Sequence, residues 1–93
     1  MDLKILLEKI EQVLNRNIAL IEFSEWFEEW FIHDVQQKSC SKSAFVLLEN
    51  FYADIGYYEP HPEIRKEHDF YFGDDIFLMK IIRLMRDLKT LSD

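Results

Sequence analysis

The sequence contains very little cysteine, glycine or proline: one, two and two residues among 93. Because Cys40 is the only cysteine, a disulfide framework within the chain is excluded, and we expect a reducing, cytoplasmic compartment. Two glycines leave little room for the glycine-rich turns that hold phosphate groups. With 48% hydrophobic residues, this composition favours a packed helical domain over a disordered segment.

Long apolar runs are missing as well. No run approaches the roughly 20 residues needed to span a bilayer, and the opening MDLKILLEKIEQ is interrupted by charge every few residues. We therefore interpret the opening as an amphipathic helix and not as a secretory signal, and we expect no membrane partner. A length of 93 residues predicts a single domain over 1–93 with one core.

Negative charge dominates the sequence, and it is concentrated in the middle. The formal net charge is −7. Residues 19–75 carry thirteen acidic residues against four basic ones, whereas residues 76–93 have a net charge of +2. Such a central surface repels nucleic acid and anionic membranes and attracts basic proteins. We therefore expect a basic protein partner and no direct contact with nucleic acid.

Four segments repeat apolar residues with the period of a helix. They cover about 2–15, 20–37 and 42–56, with a fourth beginning at 73–75. Asp2 is placed to cap the first helix, Ser41 or Ser43 to cap the third, and Gly56 to end the third. Because most links are short, we predict an all-α fold: an antiparallel four-helix bundle with a long acidic loop between the third and fourth helices.

That loop, YYEPHPEIRKEHDFYFGDD at residues 57–75, has an unusual composition. It holds six acidic residues and two basic ones, together with aromatics that include Tyr57, Tyr58, Phe70 and Tyr71. Solvated linkers seldom carry so many aromatics, and long ordered loops in small domains tend to be functional. The two prolines stiffen the segment and so reduce the entropy lost on docking. The pattern favours a protein-binding surface, with a plain solvated linker as the alternative.

The second predicted helix carries most of the other aromatics. Those that recur at spacings of three and four are expected in the core: Phe23, Phe27, Trp30 and Phe31. Trp26 instead shares a face with acidic residues, among them Glu29. We leave two alternatives open for Trp26: an exposed binding anchor, or a side chain partly buried against the loop.

Candidate catalytic and metal-binding residues are few. His61 and His68 lie seven residues apart among acids, but this spacing matches no common zinc pattern, and we expect neither a metal nor a cofactor. The sequence contains no recognisable nucleophile elbow or phosphate loop. We therefore predict that the protein is not an enzyme, with a small metal-dependent enzyme using both histidines and nearby acids as the alternative.

Three short stretches, in this order, resemble the colicin D immunity family: IEFSEWF at 21–27, YEP at 58–60 and FGDDIFL at 72–78. Similar small immunity proteins accompany the toxins of contact-dependent growth inhibition in bacteria. The resemblance extends over most of the chain. It implies a four-helix bundle that binds the nuclease domain of a cognate toxin. The toxin of the type member cleaves tRNA, and acidic residues of its immunity protein cover the basic cleft in place of substrate phosphates.

By position, Glu59 and Glu63 match the acidic loop of that family, and Asp54 stands near an acidic family position. His61 replaces an acid expected just after the YEP stretch, and Gly56 stands where the family has an acid at a helix end.

We therefore predict an immunity protein that neutralises a basic nuclease toxin as a monomer in a 1:1 complex. An acidic helical adaptor, or a nucleic-acid mimic that inhibits an unrelated basic protein, is the alternative. The predicted toxin contacts are Asp54, Tyr57, Tyr58, Glu59, Glu63, Glu67 and Asp69, with Trp26 and Glu29 beside them.

Overall fold

The computed structural model describes residues 3–35 and 40–91, which form five helices. They are α1 (Leu3–Leu14), α2 (Leu20–Asp34), α3 (Lys42–Ile55), α4 (Pro62–Arg65) and α5 (Asp74–Leu91). Extended pairing within these ranges is limited to one isolated parallel bridge between Tyr58 and Phe72. The prediction of an all-α fold is confirmed. None of the described helices is long and apolar enough to cross a membrane.

The helices predicted over 2–15, 20–37 and 42–56 correspond to α1, α2 and α3, although Asp2 and residues 36–37 lie outside the described residues. The short helix α4 was not predicted, because four residues are too few to show a helical period. Its first residue is Pro62, whose fixed φ suits the start of a helix.

The ends of α1 and α3 show how local chemistry sets the helix boundaries. The hydroxyl of Ser41 accepts a 3.1 Å hydrogen bond from the Ala44 amide and caps α3. Gly56 ends α3 with φ −59° and ψ −19°, a right-handed conformation open to any residue. The left-handed conformation usual for a terminal glycine occurs instead after α1, where Arg16 has φ 63°.

Arg16 completes a six-residue terminal motif. Its amide donates to the carbonyl of Val13 at 3.0 Å, and the Asn17 amide donates to the carbonyl of Gln12 at 2.8 Å. This pair of bonds is the Schellman arrangement, which satisfies carbonyls left open at a helix end. Arg16 therefore adopts a backbone conformation that residues other than glycine rarely adopt.

One hydrophobic core joins the long helices. Helix α5 contacts α1, α2 and α3, and α2 contacts both α1 and α3. The largest fully buried side chains are Phe23, Phe27, Phe77, Leu6, Ile10, Leu48 and Ile81. The core position predicted for the α2 aromatics is confirmed for Phe23, Phe27 and Trp30. Phe31 is only partly buried and stacks on Tyr52 at 4.8 Å.

Candidate functional site

The acidic loop, defined as residues 57–75, includes α4 and the first two residues of α5, and it is closed at its base. The Phe72 amide donates to the Tyr57 carbonyl at 3.0 Å, and the Glu59 amide donates to the Phe72 carbonyl at 2.8 Å. These bonds place both ends of the loop side by side at the end of α3. The intervening residues therefore form a closed segment and not an open connection.

The side chain of Tyr58 connects the closed end of the loop to α5. Its ring lies 4.2 Å from the Phe77 ring in α5, and its hydroxyl donates a 2.7 Å hydrogen bond to Oδ1 of Asp74. Burial, followed by this hydrogen bond, raises the pKa of Tyr58 well above its ordinary value. Most of the ring's contacts are internal, so Tyr58 acts mainly as a packing residue of the loop.

Arg65 braces the middle of the loop. Its Nη1 donates to the Glu59 carbonyl at 2.7 Å. Its guanidinium also lies so close to Gly73 that a Cβ there would stand 2.8 Å from Cζ. One of the two basic side chains of the loop is thereby committed to an internal contact, while Lys66 is exposed.

The carboxylate of Glu59 is held by its neighbour His61. Oε2 accepts a 3.1 Å hydrogen bond from the His61 amide and lies 2.9 Å from Nδ1 of the ring. The contact with the His61 ring, followed by that with its amide, lowers the pKa of Glu59 below its ordinary value. Glu59 is therefore a fixed, ionised carboxylate at the edge of the loop.

Four rings of the loop contact one another, and we call Tyr57, His68, Phe70 and Tyr71 the aromatic patch. Phe70 lies 4.7 Å from His68 in a parallel stack, 5.2 Å from Tyr57 and 4.9 Å from Tyr71. Despite these contacts, Phe70 keeps 54% of its surface in solvent and Tyr57 keeps 46%. The patch is therefore an ordered, exposed group of rings within an acidic loop.

The predicted toxin contacts fall into two groups. Seven lie in the loop or at the end of α3, and their side chains differ in availability: Asp54, Tyr57, Tyr58, Glu59, Glu63, Glu67 and Asp69. Glu63, Glu67 and Asp69 are exposed. Asp54 lies 3.4 Å from Nζ of Lys80, whose ammonium also sits 5.2 Å from the Phe72 ring centre. Lys80 thus offsets part of the negative charge at Asp54.

Trp26 and Glu29 form the second group, and their contacts are with helices. Trp26 stacks on Trp30 at 5.4 Å and lies beneath the Lys9 ammonium, 5.5 Å from its ring centre. Glu29 lies 3.2 Å from Nε2 of His33. Trp26 is partly buried, but its ring and ammonium contacts are with α1 and α2 and not, as one alternative expected, with the loop.

Sequence reasoning did not place His68, Phe70 and Tyr71 among the contacts. The available signal was the stretch HDFYF, in which aromatics stand in a loop that would otherwise be polar. The bracing role of Arg65 had no sequence signal, because its partners are brought to it only by closure of the loop.

The histidines are engaged with their neighbours. His61 lies against Glu59, and His68 stacks on Phe70. Across residues 3–35 and 40–91, no three side chains of histidine, cysteine, aspartate or glutamate are grouped to hold a metal ion.

No protein-family model, curated protein or solved structure matches the chain. The resemblance to the colicin D immunity family therefore stays a prediction that depends on the three short stretches at 21–27, 58–60 and 72–78.

Proposed function

We propose that the chain is an immunity protein that binds the basic nuclease domain of a cognate bacterial toxin. The acidic loop enters the active-site cleft and occludes it, and the substrate that it displaces is an RNA, by resemblance a tRNA. The carrying observation is the closed acidic loop, which presents exposed carboxylates and exposed rings together.

Charge is the first support for this proposal. A nuclease cleft must bind phosphates, so it is lined with lysine, arginine or protonated histidine. The carboxylates of Glu63, Glu67 and Asp69 are exposed and can pair with such cations. Charge complementarity also accelerates encounter between the partners.

Order within the loop is the second support. The bridge at its base, the Tyr58–Asp74 hydrogen bond and the Arg65 brace hold the loop in one conformation before any partner arrives. A preorganised surface loses less entropy on binding. Inhibition of a lethal nuclease requires very tight binding, and toxin–immunity pairs reach dissociation constants of roughly 10⁻¹³ M. Charge alone does not supply that affinity, so contacts through buried aromatic anchors are needed as well.

We also propose the arrangement expected for such a protein: α1, α2, α3 and α5 form an antiparallel bundle. The links over 15–19 and 35–41 are short, and α2 contacts both α1 and α3. Antiparallel α1 and α2 place Lys4 near Asp34. A long distance between spin labels at these two positions would contradict the arrangement.

Co-expression with the product of the reading frame directly upstream tests the function. We expect that product to be a toxin whose growth inhibition is relieved, to form a 1:1 complex with this chain, and to lose its nuclease activity when bound. Absence of both rescue and complex would reject the proposal. Capture of a basic partner that has no nuclease activity would favour the acidic adaptor instead.

A further inference from the structure

We infer that the aromatic patch receives an arginine side chain of the partner, so that a guanidinium packs against the rings of Phe70 and Tyr57. This inference rests on the proposed function in that the arginine belongs to the same basic protein. The arginine contact differs in mechanism from acidic occlusion of the cleft, because it is made by ring surfaces and not by carboxylates that stand in for phosphates.

The exposure of the rings is the first step. Phe70 and Tyr57 hold about half of their surfaces in water, at 54% and 46%, although Phe72, two positions after Phe70, belongs to the core and is only 8% exposed. The ring stack on His68 and the edge contacts to both tyrosines keep Phe70 in place. Fixed rings offer a contact surface that costs little entropy to use.

Charge around the patch selects a cation as the occupant. Asp69 stands between His68 and Phe70 in the chain, and Glu67 precedes them; both acids are exposed. An apolar side chain docking here would strip water from these carboxylates without pairing them. A cation satisfies them and is also attracted by the negative electrostatic potential at the face of an aromatic ring.

The shape of the patch selects arginine over lysine. A guanidinium is planar and weakly hydrated, so it stacks on a ring while its edge donates hydrogen bonds to nearby carboxylates. A lysine ammonium is compact and strongly hydrated, and it gains less from a flat surface. The exposed carboxylates of Glu67 and Asp69, which flank His68 in the chain, are available to accept such hydrogen bonds.

Titration with two peptides, hexa-arginine and hexa-lysine, tests the inference on the full chain. Both carry the same charge, so binding by carboxylates alone gives similar affinities at equal ionic strength. We expect tighter binding of hexa-arginine, together with ring-proton NMR shifts at Phe70 and Tyr57 that hexa-lysine does not cause.

Phe70→Leu is the deciding variant, because it keeps an apolar side chain and removes the ring. We expect its affinity for hexa-arginine to fall about two- to thirtyfold, the range of a cation–ring contact, with little change for hexa-lysine. Phe45→Leu makes the same change on α3, at a partly buried ring outside the patch, and should leave both affinities unchanged. Tyr57→Leu removes a second ring of the patch and should likewise lower the affinity for hexa-arginine.

Equal affinity of the wild type for both peptides, or a Phe70→Leu variant that keeps its preference for arginine, would overturn the inference. These outcomes are separate from the fate of the proposed function. A toxin that is neutralised equally well by wild type and Phe70→Leu leaves acidic occlusion standing and rejects the arginine site. A chain that prefers hexa-arginine through Phe70 but rescues no toxin rejects the proposed function alone.

Discussion

The hydroxyl of Tyr58 donates a 2.7 Å hydrogen bond to Oδ1 of Asp74, a residue sixteen positions later in the chain. This contact joins the segment that follows α3 to the first residue of α5. The same ring packs against Phe77, a fully buried residue of α5. Tyr58 therefore couples the acidic loop to the core, alongside the buried ring of Phe72, and it is the natural first target for mutation.

Tyr58→Phe keeps the packing of the ring and removes the hydrogen bond to Asp74. We expect a loss of about 0.5–1.5 kcal/mol in the free energy of unfolding, since Tyr58 is only partly buried. Urea denaturation at neutral pH measures this loss of stability. Tyr57→Phe, which changes an exposed hydroxyl in the neighbouring residue, is the control and should stay close to the wild type. An unchanged Tyr58→Phe stability would show that the hydrogen bond contributes nothing.

Alkaline pH should reduce the contribution of Tyr58 to stability. The pKa of Tyr58 is raised in the folded state, so the folded chain holds this proton more tightly than the unfolded chain. Its contribution to stability is complete below the unfolded pKa of about 10 and is lost as pH rises above it. Denaturation of wild type and Tyr58→Phe should therefore give stabilities that converge on going from pH 7 to about pH 11. A constant difference between them would contradict this prediction.

The two glycines should respond oppositely to alanine. At Gly73 the new Cβ would meet the Arg65 guanidinium at 2.8 Å and displace it from the Glu59 carbonyl, at a cost of about 1 kcal/mol. At Gly56 the backbone is right-handed and the nearest atom, the Ala53 carbonyl oxygen, is 3.4 Å away. Gly56→Ala should be neutral or stabilising by up to about 1 kcal/mol. Thermal or urea denaturation of both variants measures these changes. Equal losses of stability at both positions would contradict the bracing role of Arg65.

Arg16→Gly should stabilise the protein. Arg16 occupies the left-handed position of the motif that ends α1, with φ 63°, where glycine has no steric penalty. We expect a gain of about 0.5–1 kcal/mol in the free energy of unfolding, smaller than the full steric penalty because glycine also loses more entropy on folding. Arg16→Ala keeps the left-handed strain and serves as the matched control. If Arg16→Ala also raised the free energy of unfolding, the effect would come from removal of the arginine side chain and not from relief of the left-handed strain.

Charge reversal in the loop should weaken toxin binding. Glu63 and Glu67 are better targets than Glu59, because Glu59 is held by His61 and its reversal would disturb the loop itself. We expect Glu63→Lys with Glu67→Lys to reduce affinity by about tenfold or more and to flatten its salt dependence. Glu28→Lys with Glu49→Lys applies the same charge change at exposed positions on α2 and α3. Equal losses in both double variants would point to net charge and not to the loop.

Much of the fold was predictable from the sequence because apolar residues repeat with the period of a helix. Phe23 and Phe27 were expected in the core on that basis, and both are fully buried. The cap at Ser41 was one of two candidates, and the amide of Ala44 shows which serine is used. These features depend on neighbours within one turn of the chain.

The site was less predictable because its contacts join residues that have no periodic relation. The pairing of Tyr58 with Asp74 and the approach of Arg65 to Gly73 exist only once the loop is closed. For Trp26, the face shared with acids left two alternatives open, an exposed anchor or partial burial against the loop. Its ring is partly buried and stacks on Trp30 one turn along α2. Sequence composition singled out the acidic loop but not the contacts that its side chains make.

The stacked pair formed by Trp26 and Trp30 is an intrinsic spectroscopic probe. These are the only two tryptophans of the chain, and their rings lie 5.4 Å apart at an interplanar angle of 14°. Two indoles at this separation couple electronically, so the near-ultraviolet circular dichroism and emission of the protein report on one spot between α1 and α2. A docking event confined to the acidic loop should leave that spectrum unchanged, while any loosening of the helices should alter it.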